Sequence, residues 1–268
     1  MRYPFLCHAA CLILAAASLA IAAEPIPLLN AHSHNDYAHP RPLLDALDQG
    51  FCSVEADIFL VDGELLVGHN RLELTNTRTL QALYLDPLRD RVVKNSGTVY
   101  PSGPPFSLLI DLKTDWHDLY PALAKVLAGY SNILTEFNTS GKTPRAITVI
   151  LSGNRSREMF ATTPVRFAAY DGELSDLDGS LGPDMIPWIS ANWAMTFKWR
   201  ARGEFPPEEK RKLEEFSAKA AKQGRRLRFW GAPDKSDFWK ALRDAKVDLI
   251  NTDDLPGLKT WLLDQEKK

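Results

Sequence analysis

Cysteine is scarce in this chain. There are three among 268 residues, and two of them, Cys7 and Cys11, lie close to the start. Cys52 is left alone downstream, which excludes an internal disulfide in a chain that has lost its first residues. In a β-like run a lone cysteine reads as a small buried hydrophobe, with a nucleophilic role as the alternative. Charge of one sign is also lacking. The formal net charge is -2, so electrostatics argue for neither nucleic acid nor an anionic membrane surface as a partner. The cluster Arg225, Arg226 and Arg228 is a weak nucleic-acid signal and is discounted. Internal repeats and low-complexity tracts are absent.

Long apolar runs are missing too. Cys11 to Ala23 is apolar and alanine-rich, but short of the roughly 20 residues that cross a bilayer as a helix. Arg2 precedes it and Ala20-Ile21-Ala22 resembles a small-residue cleavage site. Residues 1–23 therefore read as a secretory signal peptide. The mature protein is expected to be exported, periplasmic or extracellular, without a transmembrane span. An uncleaved anchor is the alternative. A lipoprotein is disfavoured because Cys11 precedes most of the apolar run.

What remains, 24–268, suits one large domain, since 45% of the chain is hydrophobic. Eight strand-like runs are expected: 25–31, 51–58, 106–113, 145–151, 165–169, 186–190, 226–230 and 247–250. Helical patterns separate most of them, at 42–49, 77–93, 116–129, 206–223, 236–243 and 256–263. A hairpin is expected to turn at Asp62-Gly63. This alternation predicts an α/β fold, a (β/α)8 TIM-type barrel, with a doubly wound open sheet as runner-up. Polar residues recur at the C-terminal ends of several strands, where barrels carry their sites.

The stretch from Asn30 to Asn70 holds most of the chemistry. In 51–58, Val54, Ala56 and Ile58 share one face, while Ser53, Glu55 and Asp57 share the other. Asp111 adds a third carboxylate from the next strand. Three such groups at one barrel mouth repel one another unless a cation neutralises them, and oxygen ligands suit Mg²⁺ or Ca²⁺. Asn35 could add a neutral oxygen. Salt bridges or loop caps are the plain alternative.

His32, His34 and His69 are half of the six histidines. Two imidazoles flanking a phosphodiester can act as base and acid, and their ordinary pKa suits both roles. A zinc site built from His32, His34 and His69 is the competing reading. Lys113, two residues beyond Asp111, could stabilise phosphoryl charge or merely pair with Asp111. Asn154 and Trp230, at the ends of strands four and seven, are expected to join Lys113 in substrate binding.

These residues carry a resemblance. The stretches AHSHNDY, SVEADIFLVDGELLVGH, LLIDLKT and VDLINTDDLPGL resemble the phospholipase C-like phosphodiesterase superfamily. It contains glycerophosphodiester phosphodiesterases, phosphatidylinositol phospholipases C and sphingomyelinase D-like enzymes. The first two stretches look most like a subgroup opening H-x-H-N-D-Y, known in fungi as altered-inheritance-of-mitochondria proteins. The likeness runs from about Leu28 to Leu263. It implies a barrel with one divalent ion on Glu55, Asp57 and Asp111, catalytic histidines at His32 and His69, and a cyclic phosphodiester as first product. Two departures put the head group in question. Ser33-His34 stands where glycerophosphodiesterases have Arg-Gly, and Asp111-x-Lys113 where they have E-x-K. His34 could share or replace the role of His32. The first reading is thus a metal-dependent phosphoric diester hydrolase acting on a glycerophosphodiester or phospholipid-type substrate. A zinc amidohydrolase-like enzyme and a non-catalytic binding barrel are the alternatives.

Overall fold

The computed structural model describes residues 24–267 apart from 102 and 162. The expected signal peptide, 1–23, lies outside the described residues. Eight parallel strands form the core: β1 Leu28–Ser33, β2 Phe51–Val61, β3 Phe106–Leu112, β4 Ile147–Gly153, β5 Ala169–Gly172, β6 Trp188–Asn192, β7 Arg226–Trp230 and β8 Leu249–Thr252. Each pairs with the next, and β1 also pairs with β8, so the sheet closes into a barrel. Helices α1 Leu44–Asp48, α2 Asp86–Lys94, α3 Trp116–Ala128, α4 Trp193–Thr196, α5 Pro207–Lys222 and α6 Ser236–Asp244 lie in the connections, and α7 Leu255–Glu266 follows the last strand. None is long and apolar enough to cross a membrane.

Strand β2 shows why the sequence closes this way. Val54, Ala56 and Ile58 are fully buried in the large outer core. Val54 and Ile58 each contribute about 1.5–3 kcal/mol when taken from water, and Ala56 less. That burial offsets part of the cost of the inward row, Ser53, Glu55 and Asp57, which is buried as well. Beyond the barrel, Asp62-Gly63 turns β2 back on Glu64–Val67, and both turn residues have positive φ. In α5, Glu208 and Glu209 open the helix and Lys219 and Lys222 close it, which matches the helix dipole.

The fifth strand departs from expectation. Val165–Arg166 does not enter the barrel but pairs antiparallel with Phe137–Asn138 in a separate three-stranded sheet. The barrel strand begins at Ala169, in a run whose sequence, AYDG, lacks the apolar alternation of its neighbours. The small sheet was not foreseen. Its Phe137 joins Leu109, Ile150, Ala169, Trp188 and Leu249 in an inner cluster. Those residues sit at or near the strand N-termini, or one layer below the polar ends. This apolar cluster lies below the carboxylates Glu55, Asp57 and Asp111, which stand toward the C-terminal mouth.

Candidate active site

A cavity of about 820 Å³ opens at that mouth, lined among others by His34, Glu55, His69, Asp111, Lys113 and Arg228. Parallel pairing of β2 with β3 sets Asp57 directly opposite Asp111. Oxygens of Glu55, Asp57 and Asp111 lie within 4.8 Å of one another. Lys113 Nζ sits 3.0 Å from Asp57 Oδ2 and 3.0 Å from Asp111 Oδ1. Ser152 donates to Asp111 Oδ2 at 3.0 Å. Burial, and then the negative charge of Glu55, pushes the Asp57 carboxyl up to about 6. Burial acts on Glu55 the same way, but the guanidinium of Arg228 and the hydrogen bond to His32 outweigh it and hold that carboxyl well below the usual range. Lys113 is raised despite its burial, because both aspartates face it.

The three carboxylates fit a divalent cation. Asp57 Oδ1 is buried and has no hydrogen-bond partner among the described residues, and a lone pair left so is costly unless something positive meets it. The donor set is all oxygen, which suits a hard ion. No histidine belongs to this group, so His32, His34 and His69 do not form the alternative zinc site. Asn35 turns its amide to His34 and Tyr37 rather than to the carboxylates, at 3.0 and 2.6 Å.

The histidines divide in an unexpected way. His32 is fully buried and does not line the cavity. Its Nδ1 is 2.7 Å from Ser53 Oγ, and its Nε2 is 3.2 Å from Arg228 Nη1 and 3.5 Å from Glu55 Oε2. Burial and the Arg228 charge lower its pKa to about 3. It is a neutral wedge beneath the site, placed where a first acid/base group was expected. His34, two residues on, does line the cavity, with Nδ1 2.9 Å from Asp253 Oδ1. Burial works against its charge, but the Asp253 hydrogen bond and the negative charges of Glu55 and Asp253 together outweigh it, and its pKa is raised. His69 also lines the cavity, with Nδ1 3.0 Å from Tyr37 Oη and 3.3 Å from Asp57 Oδ2. Neither His34 nor His69 has a partner at Nε2 among the described residues.

Of the three residues expected to bind substrate, Lys113 and Trp230 line the cavity and Asn154 does not. Its backbone N–H donates to Leu112 O at 2.8 Å, and its side chain faces a separate groove beside Thr114 and Arg71. Residues missed in the sequence are Tyr37, Arg155, Asp171, Ser190, Arg228 and Asp253. Arg228 had a signal: in RLRFW it shares the inward face of a strand. The cavity also contains Asp171, whose carboxyl burial pushes up to about 6 and which accepts from Ser190 Oγ at 2.8 Å.

A known domain matches this chain over its first half. The AIM6-like phosphodiesterase domain covers residues 20–171, which include Glu55, Asp57, His69 and Asp111. The chain belongs to this family. The glycerophosphoryl diester phosphodiesterase family matches a further stretch, residues 226–256, which holds Arg228 and Asp253. Among full-length relatives, the altered inheritance of mitochondria protein 6 homolog of Arthroderma benhamiae is 30% identical, over 88% of this chain and 84% of its own. Altered inheritance of mitochondria protein 6 of Eremothecium gossypii is 28% identical, over 88% and 70%. Two crystal structures of glycerophosphodiester phosphodiesterases share the barrel. The one from Agrobacterium tumefaciens superposes with a TM-score of 0.52 at 16% identity, covering 88% of this chain and 100% of the other. The one from Parabacteroides distasonis gives 0.51 at 13% identity, covering 89% and 98%. At such identities the likeness concerns the fold.

Proposed function

We propose that this AIM6-like chain is a metal-dependent phosphoric diester hydrolase in which His34 and His69 are the acid/base pair. The observation that carries the reading is their placement. Both line one cavity beside the carboxylate trio, and each is engaged through Nδ1 while Nε2 is left without a protein partner among the described residues.

In this reading Glu55, Asp57 and Asp111 hold one divalent cation, Mg²⁺ or Ca²⁺, which when bound supplies charge neutralisation to a phosphoryl group. Lys113 and Arg228 add fixed positive charge at the same mouth, where it strengthens as negative charge develops on phosphoryl oxygens. One histidine takes a proton through Nε2 from a substrate hydroxyl or a water. The other, protonated at Nε2, gives one to the leaving alcohol oxygen. Attack by a neighbouring hydroxyl of the substrate needs no second molecule to be positioned and would release a cyclic phosphodiester first. Glycerophosphodiesters and phospholipid-type diesters are the substrate class, and Trp230 offers an aromatic surface to the alcohol portion. His32 is assigned a supporting role, holding Glu55 and Arg228 in place. Export of the mature protein is part of the same proposal and is tested by the N-terminal residue of the protein recovered from its host.

The experiment is turnover of an aryl phosphodiester by purified protein with added Mg²⁺ or Ca²⁺ and with chelator. His34→Ala and His69→Ala should each lose about 10²–10⁴-fold. Full activity in excess chelator, or wild-type turnover in His69→Ala, would reject the reading.

A further inference from the structure

His34 and His69 come from opposite ends of the Asn30–Asn70 segment, yet an unbroken path of polar atoms joins them. His34 Nδ1 lies 3.0 Å from the Asn35 amide, the other end of that amide lies 2.6 Å from Tyr37 Oη, and Tyr37 Oη lies 3.0 Å from His69 Nδ1. Asn35 is in the left-handed region, φ 47, which curls its side chain back between the two partners and which asparagine tolerates. The next residues form a 3-10 turn, Asp36–Ala38. Asp36, buried beneath it, accepts from Ser33 Oγ, Leu43 N and Tyr84 Oη, and so pins the turn. Tyr37 is thereby aimed inward. It is 4% exposed, and its ring stacks on His69 with an interplanar angle of 15°.

Matching donors to acceptors fixes the protons along this path. Asp253 is a surface carboxylate and only accepts, so His34 Nδ1 carries the hydrogen of their 2.9 Å bond. The structure places Asn35 Nδ2 toward His34 and Oδ1 toward Tyr37; that would set two donors against each other, so the amide is assigned the other way round, oxygen to His34 and nitrogen to Tyr37. The separation there is short for an N–H donor by about 0.1 Å, a smaller penalty than two facing donors. Tyr37 then spends its single hydrogen on Asp57 Oδ2, at 2.7 Å. Its two lone pairs receive Asn35 and His69 Nδ1–H. Every donor on the path meets an acceptor.

We infer that Asn35 and Tyr37 are positioning residues that link the two histidines and hold both rings in the Nδ1–H form, with Nε2 turned over to the substrate. The inference rests on the proposed roles of His34 and His69 only for its catalytic meaning; the hydrogen-bond assignment stands apart from any activity. Each residue of His34-Asn35-Asp36-Tyr37 thereby has its own part: His34 moves the proton, Asn35 links, Asp36 anchors and Tyr37 joins the link to His69 and Asp57.

The test is ¹⁵N-imidazole NMR of the full chain at a pH where the rings are neutral, without metal and with Mg²⁺. In the wild type both rings should show a protonated Nδ1 and a bare Nε2. Tyr37→Phe keeps the ring stack but removes the hydroxyl. The Asn35 nitrogen then loses its partner and the amide relaxes against His34, so the His34 Nδ1 resonance should shift although the lost hydroxyl made no bond to it, while Asp253 keeps the proton on Nδ1. In the reciprocal variant, Asn35→Gly accepts the left-handed backbone, removes no direct bond to His69 or Asp57, and should shift the His69 Nδ1 resonance. In the double variant the two shifts should not add, because either single change already breaks the link. A wild-type His34 carrying its proton on Nε2 overturns the inference. So does a folded Tyr37→Phe or Asn35→Gly in which only the histidine in direct contact responds. On an aryl phosphodiester, each single variant should lower kcat about 10- to 100-fold with KM within about 2-fold, as expected when geometry rather than binding is lost. Should the chain hydrolyse no phosphodiester, the spectra still decide the link, and the failure falls on the proposed function alone.

Discussion

Gly153 and Asp111 are packed so closely that no side-chain carbon fits between them. A Cβ on Gly153 would overlap Asp111 Oδ1 and the Leu112 backbone, and Gly153 has φ +72. The close of β4 is therefore shaped around a carboxylate of the neighbouring strand.

Gly153→Ala should thus act on both the fold and ion binding, because the added Cβ also meets the Leu112 backbone. The left-handed backbone alone costs about 1–2 kcal/mol in an L-residue, and the backbone overlap lowers the unfolding midpoint further. Displacement of Asp111 should weaken divalent-ion affinity at least 10-fold by calorimetric titration. An unchanged affinity would show that Asp111 is not a ligand.

The carboxylate trio predicts opposite responses with and without metal. Asp57→Asn removes one of three crowded negative charges, so the metal-free protein should melt no lower than wild type. The gain on adding Mg²⁺ or Ca²⁺, about 2.7 kcal/mol at 100 times Kd in the wild type, should largely vanish. Thermal melts in chelator and in excess ion measure both.

His32 and His34 should separate by kind of defect. His34→Ala should lose turnover with little change in melting. His32→Ala leaves Ser53, Glu55 and Arg228 facing a buried hole, and an unsatisfied buried group costs about 1–3 kcal/mol. It should therefore melt lower, and any loss of turnover should be accompanied by weaker ion binding through Glu55. Equal stability in the two variants would count against the buried role of His32.

Asp171 gives the pH dependence. Its carboxyl is raised from 3.8 to about 6 by burial, so the folded state holds the proton more tightly than the unfolded state. The stabilisation from this group is complete below about pH 3.8 and is lost as pH rises through 6, about 3 kcal/mol in all. Asp171→Asn cannot lose it. The variant should gain on wild type between pH 4 and pH 7 in urea midpoints. A constant difference across that window would contradict the assignment.

The fold was largely legible because outward rows such as Val54, Ala56 and Ile58 and the helix stripes announce themselves locally. The carboxylate trio was legible for the same reason, since alternation fixes the face on which Glu55, Asp57 and Asp111 stand. Alternation does not fix depth. His32 and His34 are two apart and share a face, yet the first lies one layer down between Ser53 and Arg228 while the second reaches the cavity. Asn154 was misplaced by a similar limit, because a residue just past a strand can turn to either side. Asp253 and Tyr37 were missed because their partners lie 219 and 32 residues away, a separation that no local pattern encodes.

The seam between β1 and β8 has a consequence for synthesis. His34 N also bonds to Thr252 O at 3.0 Å, so the backbone and side chain of one histidine both clasp the last strand. A nascent chain lacks that strand until the seven other barrel strands have been made, and domains generally fold as units when complete. The histidine thus gains its aspartate only at ring closure, and a precursor arrested before that step would carry nearly every active-site residue yet remain inert. Hydrolysis would then report ring closure, not merely the presence of the chain.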